Sequence, residues 1–335
     1  MPESALLRRD SGAVVLTPGA QDVPESAGPG TLVLEVAGGH LCWSLLAGAR
    51  IPVAVLFDPA GAQDWLWAVY GERVALAVAE EASGDFPVHP ALADLVDGAR
   101  QLAYAHWADR WWPASTVDGI PALDRRLLGA EIADLTEVCD LLVDGSDAQA
   151  PAAVSSLVEV TGRARDYALA AGAASASTGL ILAAGTTGWD WRRCPPGLLD
   201  ASEHAVSWQL FRDSGTSTVR VRAVAAPDLD TEPPEHLRPY AHIVTTSATA
   251  DLALIRTGDS WAGATGINSD DITGVDIHVP GVGPADPDTA GGEHGPRMRQ
   301  QIRDFAANRL RAAPGIAPVP LLRSEITAAA SDPDF

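Results

Sequence analysis

Six apolar runs of strand length crowd the first ninety residues, and Gly, Pro or Asp turns the chain soon after each of them. They are AVVL (13–16), TLVLEVA (31–37), LCWSLLA (41–47), PVAVLFD (52–58), WLWAVY (65–70) and VALAVA (74–79). Runs this short, rich in Val, Leu and Trp, suit strands. The breaks, AGGH and DPAGAQD among them, carry turn chemistry. Connections of a few residues favour antiparallel neighbours, because a parallel pair needs a crossover of about a dozen residues or more. Residues 1–90 therefore read as an antiparallel β region. No GxGxxG follows any of its strands, so a dinucleotide site is not indicated.

Near Pro90 the period changes. Leu92, Leu95, Val96, Ala99, Leu102, Ala103 and His106 recur at helical spacing. Leu128, Ile132, Leu135, Cys139 and Leu142 step by four, three, four and three, like the seam of a helical hairpin. A third helical pattern runs from about Pro151 to Ala171, which makes residues 91–178 a helical block. From Tyr167 to Trp189 no residue is charged. Small residues dominate there, whereas a membrane span needs about 20 predominantly apolar ones. The stretch reads as a helix end, a connection and one buried strand holding Leu180, Ile181 and Leu182.

Strands return after that. HAVSWQLFR and STVRVRAVA alternate around DSGT, a hairpin signal. YAHIVTT (240–246), DLALIRT (251–257), a piece around Trp261 and VDIHV (275–279) complete a β-sandwich-like region over residues 179–290. Residues 291–335 hold a closing helix and tail. Within it RMRQQIRDFAANRLR (297–311) lines up Ile302, Phe305, Ala306 and Leu310, less squarely Met298, and carries five arginines. The fold class is α+β.

Composition narrows the function. The formal net charge is −21, a field that repels phosphate backbones and anionic membranes. All 23 basic residues are arginine. Asn, Met and Tyr are scarce too, the mark of a GC-rich genome; selection against lysine-directed tagging is the sharper alternative. Without lysine there is no Walker lysine, Schiff base or lysine general base. Cys42, Cys139 and Cys194 form no CxxC pair, and the N-terminus MPESALLRRDSG lacks a signal peptide's apolar run. A cytoplasmic location with buried thiols is expected. HExxH, GxSxG and EF-hand patterns are absent, and no two of the eight histidines stand three or four apart.

Two tryptophan motifs remain as leads. In HWADRWWPASTVDGIP (106–121), Trp107 and Trp111 share one helix edge and His106 and Arg110 another, while Pro113 holds Trp112 extended. STVDGIP reads as a polar turn that places Pro121 in the first turn of the next helix. The rings either fill the gap where two helices splay, with Asp109 or Asp118 accepting an indole N–H, or present Trp107, Arg110, Trp111 and Trp112 as an anchor. In GWDWRRCPPG (188–197), alternation puts Trp189 and Trp191 on one strand face, ahead of Arg192 and Arg193. Packing between domains and a ligand surface both fit, and burial is the simpler account of either motif because it needs no partner.

These observations point to a non-catalytic cytoplasmic interaction or scaffold protein within a multi-protein system. Its partner is another protein, not nucleic acid or membrane. No cofactor, catalytic residue or metal ligand is assigned. One alternative is a hydrolase assembled from distant segments. Another is a calcium-type binding protein using the acidic loops NSDDITGVD (268–276) and PADPDTAGGEH (284–294), which also read as solvated turns.

Overall fold

The computed structural model describes residues 4–143, 180–284, 295–313 and 319–331, apart from residues 11, 20–22 and 24–27. The helical pattern expected at 151–171 and most of the acidic loop 284–294 lie outside the described residues.

The N-terminal region is a six-stranded antiparallel sheet. Its strands are β1 (Ser4–Asp10), β2 (Ala13–Pro18), β3 (Thr31–Val36), β4 (Gly39–Ser44), β5 (Val53–Leu56) and β6 (Gly84–Pro87), ordered β3-β4-β5-β2-β1-β6. Two of the expected strands are helices instead: 65–70 lies in α1 (Gln63–Tyr70) and 74–79 in α2 (Glu72–Ala79). Both runs bury all but one or two positions, and the exposed apolar residues Trp67 and Leu76 fill the gaps that would betray a helical period. Gly71 separates the helices at φ 94°, ψ 168°, a conformation that is essentially glycine's alone.

The central helix α3 (Ala93–Trp111) is buried around most of its circumference, with Val96, Ala99, Leu102, Ala103, Tyr104 and Trp107 all in the core. It packs against β3, α1 and α4 (Arg125–Val138). The expected seam holds as far as α4 runs, with Leu128 buried and Ile132 and Leu135 half-buried against the core; Cys139 and Leu142 are buried too, but in the cap and turn beyond the helix end at Val138. Pro121 does not enter that helix. α4 starts four residues later, where the Asp124 carboxylate caps it by accepting from Arg126 N and Leu127 N at 2.9 and 3.1 Å.

The C-terminal β region is two antiparallel sheets. One has five strands, ordered β12-β13-β9-β8-β7, from β7 (Leu180–Thr187), β8 (Val206–Asp213), β9 (Thr216–Val224), β12 (Ile255–Thr257) and β13 (Ser260–Ile267). The other has three, ordered β11-β10-β14, from β10 (Tyr240–Val244), β11 (Thr249–Ala253) and β14 (Gly274–His278). The DSGT signal is the β8–β9 hairpin, with Ser214 and Gly215 both at positive φ. Only Leu254, itself buried, separates β11 from β12, so the chain changes sheet at one residue as sandwich corners do. Val219, Val221 and Ala223 of β9, Trp261, Ile243 and Ile277 supply the inward faces. The strand expected to be buried, β7, is an edge strand whose Leu180 and Ile181 are exposed. An unbroken apolar run cannot distinguish a central strand from an edge.

Two helices close the fold. α5 (Pro296–Arg311) buries Ile302, Ala306 and Leu310 as its pattern predicts, but it also buries Arg299, Arg303 and Arg309. Arg309 reaches both oxygens of Glu325 in α6 (Arg323–Ser331), at 2.6 Å each, and lies 4.2 Å over the Tyr104 ring. Burial pushes the Tyr104 hydroxyl well up, so it stays protonated and donates to Glu325 Oε1 at 2.8 Å. This buried cluster ties the C-terminal helices to α3. Among the described residues no helix is long and apolar enough to cross a membrane.

Candidate functional site

The STVDG turn docks onto the segment after β7 through one buried carboxylate. Asp200, fully buried, accepts from Ser115 Oγ at 2.7 Å, Thr116 N at 2.7 Å and Ser202 N at 2.9 Å. Ser202 Oγ donates back to Asp118 Oδ1 at 3.0 Å, and Ala201 N donates to Ala114 O at 3.2 Å. From the other side Arg303 reaches Asp118, Ala201 O and Glu203, while Arg299 forks onto Glu203 at 2.6 and 2.8 Å. Burial pushes the Glu203 carboxyl up, but the two arginines outweigh it and hold the group below its ordinary value.

This docking brings the two tryptophan motifs together. Trp111 and Trp112, from the end of α3, line one small cleft together with the buried Trp189 and Trp191, with about 70 Å³ of room for a water-sized molecule. Pro113, Pro196, Leu123, Leu128 and Leu199 complete the apolar wall. The ionisable groups lining it are Asp109, Arg110, Arg125 and Asp228. The Arg110 guanidinium lies 5.0 Å over the Trp111 ring, and Arg125 Nε donates to Asp228 Oδ2 at 3.1 Å.

Five of the eight residues singled out by sequence therefore share one place: Arg110, Trp111, Trp112, Trp189 and Trp191. The other three do not. Trp107 is core: it stacks on Tyr104 at 5.5 Å, meets Phe305 edge-on and donates to Pro29 O at 2.7 Å. Arg192 and Arg193 turn toward Asp190; Arg192 makes a fork with it, shortest at 2.6 Å. Burial raises the Asp190 carboxyl, and the Arg192 hydrogen bonds more than reverse that, leaving it below its ordinary value. Trp189 and Trp191 do not alternate on a strand, because β7 ends at Thr187 and they stand in the loop and turn beyond it. Nor do Asp109 and Asp118 satisfy the tryptophans: Trp112 donates to Pro121 O at 2.9 Å and Trp189 to Asp200 O at 2.7 Å. The docking residue Asp200 went unnoticed in the sequence, where only its partner turn carried a signal.

The cleft wall holds no cysteine, histidine or serine. Cys194 is buried, and burial pushes its thiol far up, away from the thiolate a nucleophile needs. His242 sits on β10 with Nδ1 2.6 Å from Asp251 Oδ1, outside the cleft lining. Among the described residues no group of three or more His, Cys, Asp or Glu is placed to hold a metal ion. In the loop 268–276, Asp270 accepts from Arg212 and Ser217 and Asp271 from Thr246 and Ser269, so these carboxylates serve the loop itself. The chain matches no family model, no curated protein and no solved structure.

Proposed function

We infer that this chain is a non-catalytic interaction protein of the cytoplasm, working within a multi-protein system and engaging a protein partner through the tryptophan cleft. The observation that carries the reading is the convergence of Trp111, Trp112, Trp189, Trp191 and Arg110, from two distant segments, on one cleft whose wall holds no cysteine, histidine or serine. Tryptophan and arginine are the residues that dominate binding energy at interface centres. Nucleic acid is a poor candidate, because three of the five α5 arginines are buried in ion pairs and the net charge is −21. Three unpaired, buried cysteines suit a reducing compartment.

Affinity capture from extract of the native cell tests this, comparing wild type with a folded Arg110→Ala, Trp111→Ala variant. A specific partner lost by the variant supports the reading. The same partners on both proteins, or none on either, overturns it.

A further inference from the structure

We propose that His278 is an acid-operated latch: when its buried imidazole takes a proton, the end of β14 releases the loop that carries Trp189 and Trp191. The latch follows from placement on one sheet. Register sets Asp251, His242 and Asp276 in one row across β11, β10 and β14, and Ala253, Tyr240 and His278 in another. Both rows lie on one face, because directly paired residues share a face and side chains alternate along a strand. The opposite face, with Ala241, Ile243 and Ile277, is core. His242 is tied to Asp251. His278 has no such tie: it is 5% exposed, and its Nδ1 is buried with no hydrogen-bond partner among the described residues. The rings of His242 and Tyr240 each stand with their centroids 6.4 Å from its own. An imidazolium must carry a proton on Nδ1, and in the closed fold that proton would be buried without an acceptor.

Charged groups bear on His278 from each neighbouring element. Asp276 on its own strand and Asp251 on β11 favour the proton, while His242 on β10 and Arg193 from the loop oppose it. Cys194, beside Asp276, is buried and neutral. Burial outweighs the two carboxylates and holds the imidazole below its ordinary value. The open strand end therefore takes a proton more readily than the closed one. As pH falls through the unfolded value of about 6.5, opening becomes easier by up to about tenfold per pH unit, until the closed group titrates as well. What opens is set by the next residue. Val279 N donates to Arg193 O at 3.0 Å, and Arg193 N donates to Asp190 O at 2.8 Å, closing the turn that holds Trp191. The loop is thus tied at its start by the Trp189 indole on Asp200 O and at its end by Val279. Acid loosens the second tie and leaves the first in place.

Histidine titration and amide hydrogen exchange of the full chain, both followed by NMR, test the latch. The His278 ring should titrate below a histidine-containing peptide measured alongside. Between pH 7 and pH 5, after correction for the intrinsic rate of exchange, protection of the Val279 amide should fall at least about threefold more than that of amides in the N-terminal sheet. His278→Gln, whose side chain takes no proton, should lose that excess, and His242→Gln should keep it. Should His278→Gln not fold, wild type and His242→Gln decide the matter. The proposal is overturned by a His278 ring that titrates with the peptide or above it, or by a Val279 amide that follows the N-terminal sheet. An excess that survives His278→Gln, or vanishes with His242→Gln, overturns it equally. No ligand enters these readouts, so the latch and the binding reading of the cleft stand or fall separately.

Discussion

Replacing Asp200 by alanine should be among the most damaging single changes in the chain, and its size follows from the hydrogen bonds it strands. Asp200 accepts three short bonds, from Ser115 Oγ, Thr116 N and Ser202 N. Thr116 lies at the surface, so water can replace that bond. Ser115 and Ser202 are each 1% exposed, and their donors would be left buried without the carboxylate. A buried donor that loses a charged acceptor costs about 1.5–3 kcal/mol, so two cost about 3–6 kcal/mol. Against a typical total of about 5–15 kcal/mol this approaches unfolding. Urea unfolding of wild type and Asp200→Ala, followed by far-UV circular dichroism, measures the loss. A double-mutant cycle with Ser115→Ala should return a coupling of at least about 1 kcal/mol, because the two side chains touch. A total loss below about 1 kcal/mol, or additive effects in the cycle, would refute the role given to Asp200.

Three further outcomes are expected. Glu203 titrates below its ordinary value, so the unfolded chain takes up the proton first; its contribution is present above the unfolded value of about 4.3 and is lost as pH falls through the lower folded one. Urea midpoints against pH should show a shallower acid limb for Glu203→Gln than for wild type, and equal limbs would contradict the ion pairs with Arg299 and Arg303. Burial pushes the Cys42 and Cys139 thiols up to about 11 and Cys194 further, so a thiol reagent at pH 8 should spare all three in the native protein and titrate three once urea unfolds it. Glu325→Gln should cost about 3–5 kcal/mol by leaving the Arg309 guanidinium buried without its counter-charge, seen as early melting and as fast amide exchange in α6.

Periodicity proved a good guide where one face is buried and the other wet. β9 alternates between buried and more exposed positions along nearly its whole length, and the α4 seam and the Ile302, Ala306, Leu310 stripe appear where spacing put them. It misled where apolar residues point to solvent. Trp67 and Leu76 turned two helices into apparent strands, and exposed Leu180 and Ile181 gave an edge strand the look of a buried one. The five arginines of α5 misled in another way. Side-chain charge suggests a wet face, yet Arg299, Arg303 and Arg309 enter the core because Glu203, Asp118 and Glu325 arrive from other segments to meet them. No local pattern announces a partner that stands far away in the chain.

The cleft shows the same division between residue type and place. Trp111, Trp112, Trp189 and Trp191 stand out as residues, because aromatic clusters next to proline and arginine demand an explanation. Their meeting does not show, since it depends on a serine and an aspartate 85 positions apart. The docking cluster and the cleft are physically one object. Trp189 donates to the carbonyl oxygen of Asp200 itself, and Ala114, next to the wall residue Pro113, accepts from Ala201. The spacing between the ring pairs is therefore set by buried polar bonds, which tolerate little displacement, rather than by apolar contacts that can slide. A cleft held open in this way keeps its shape without an occupant, which lowers the ordering cost of binding.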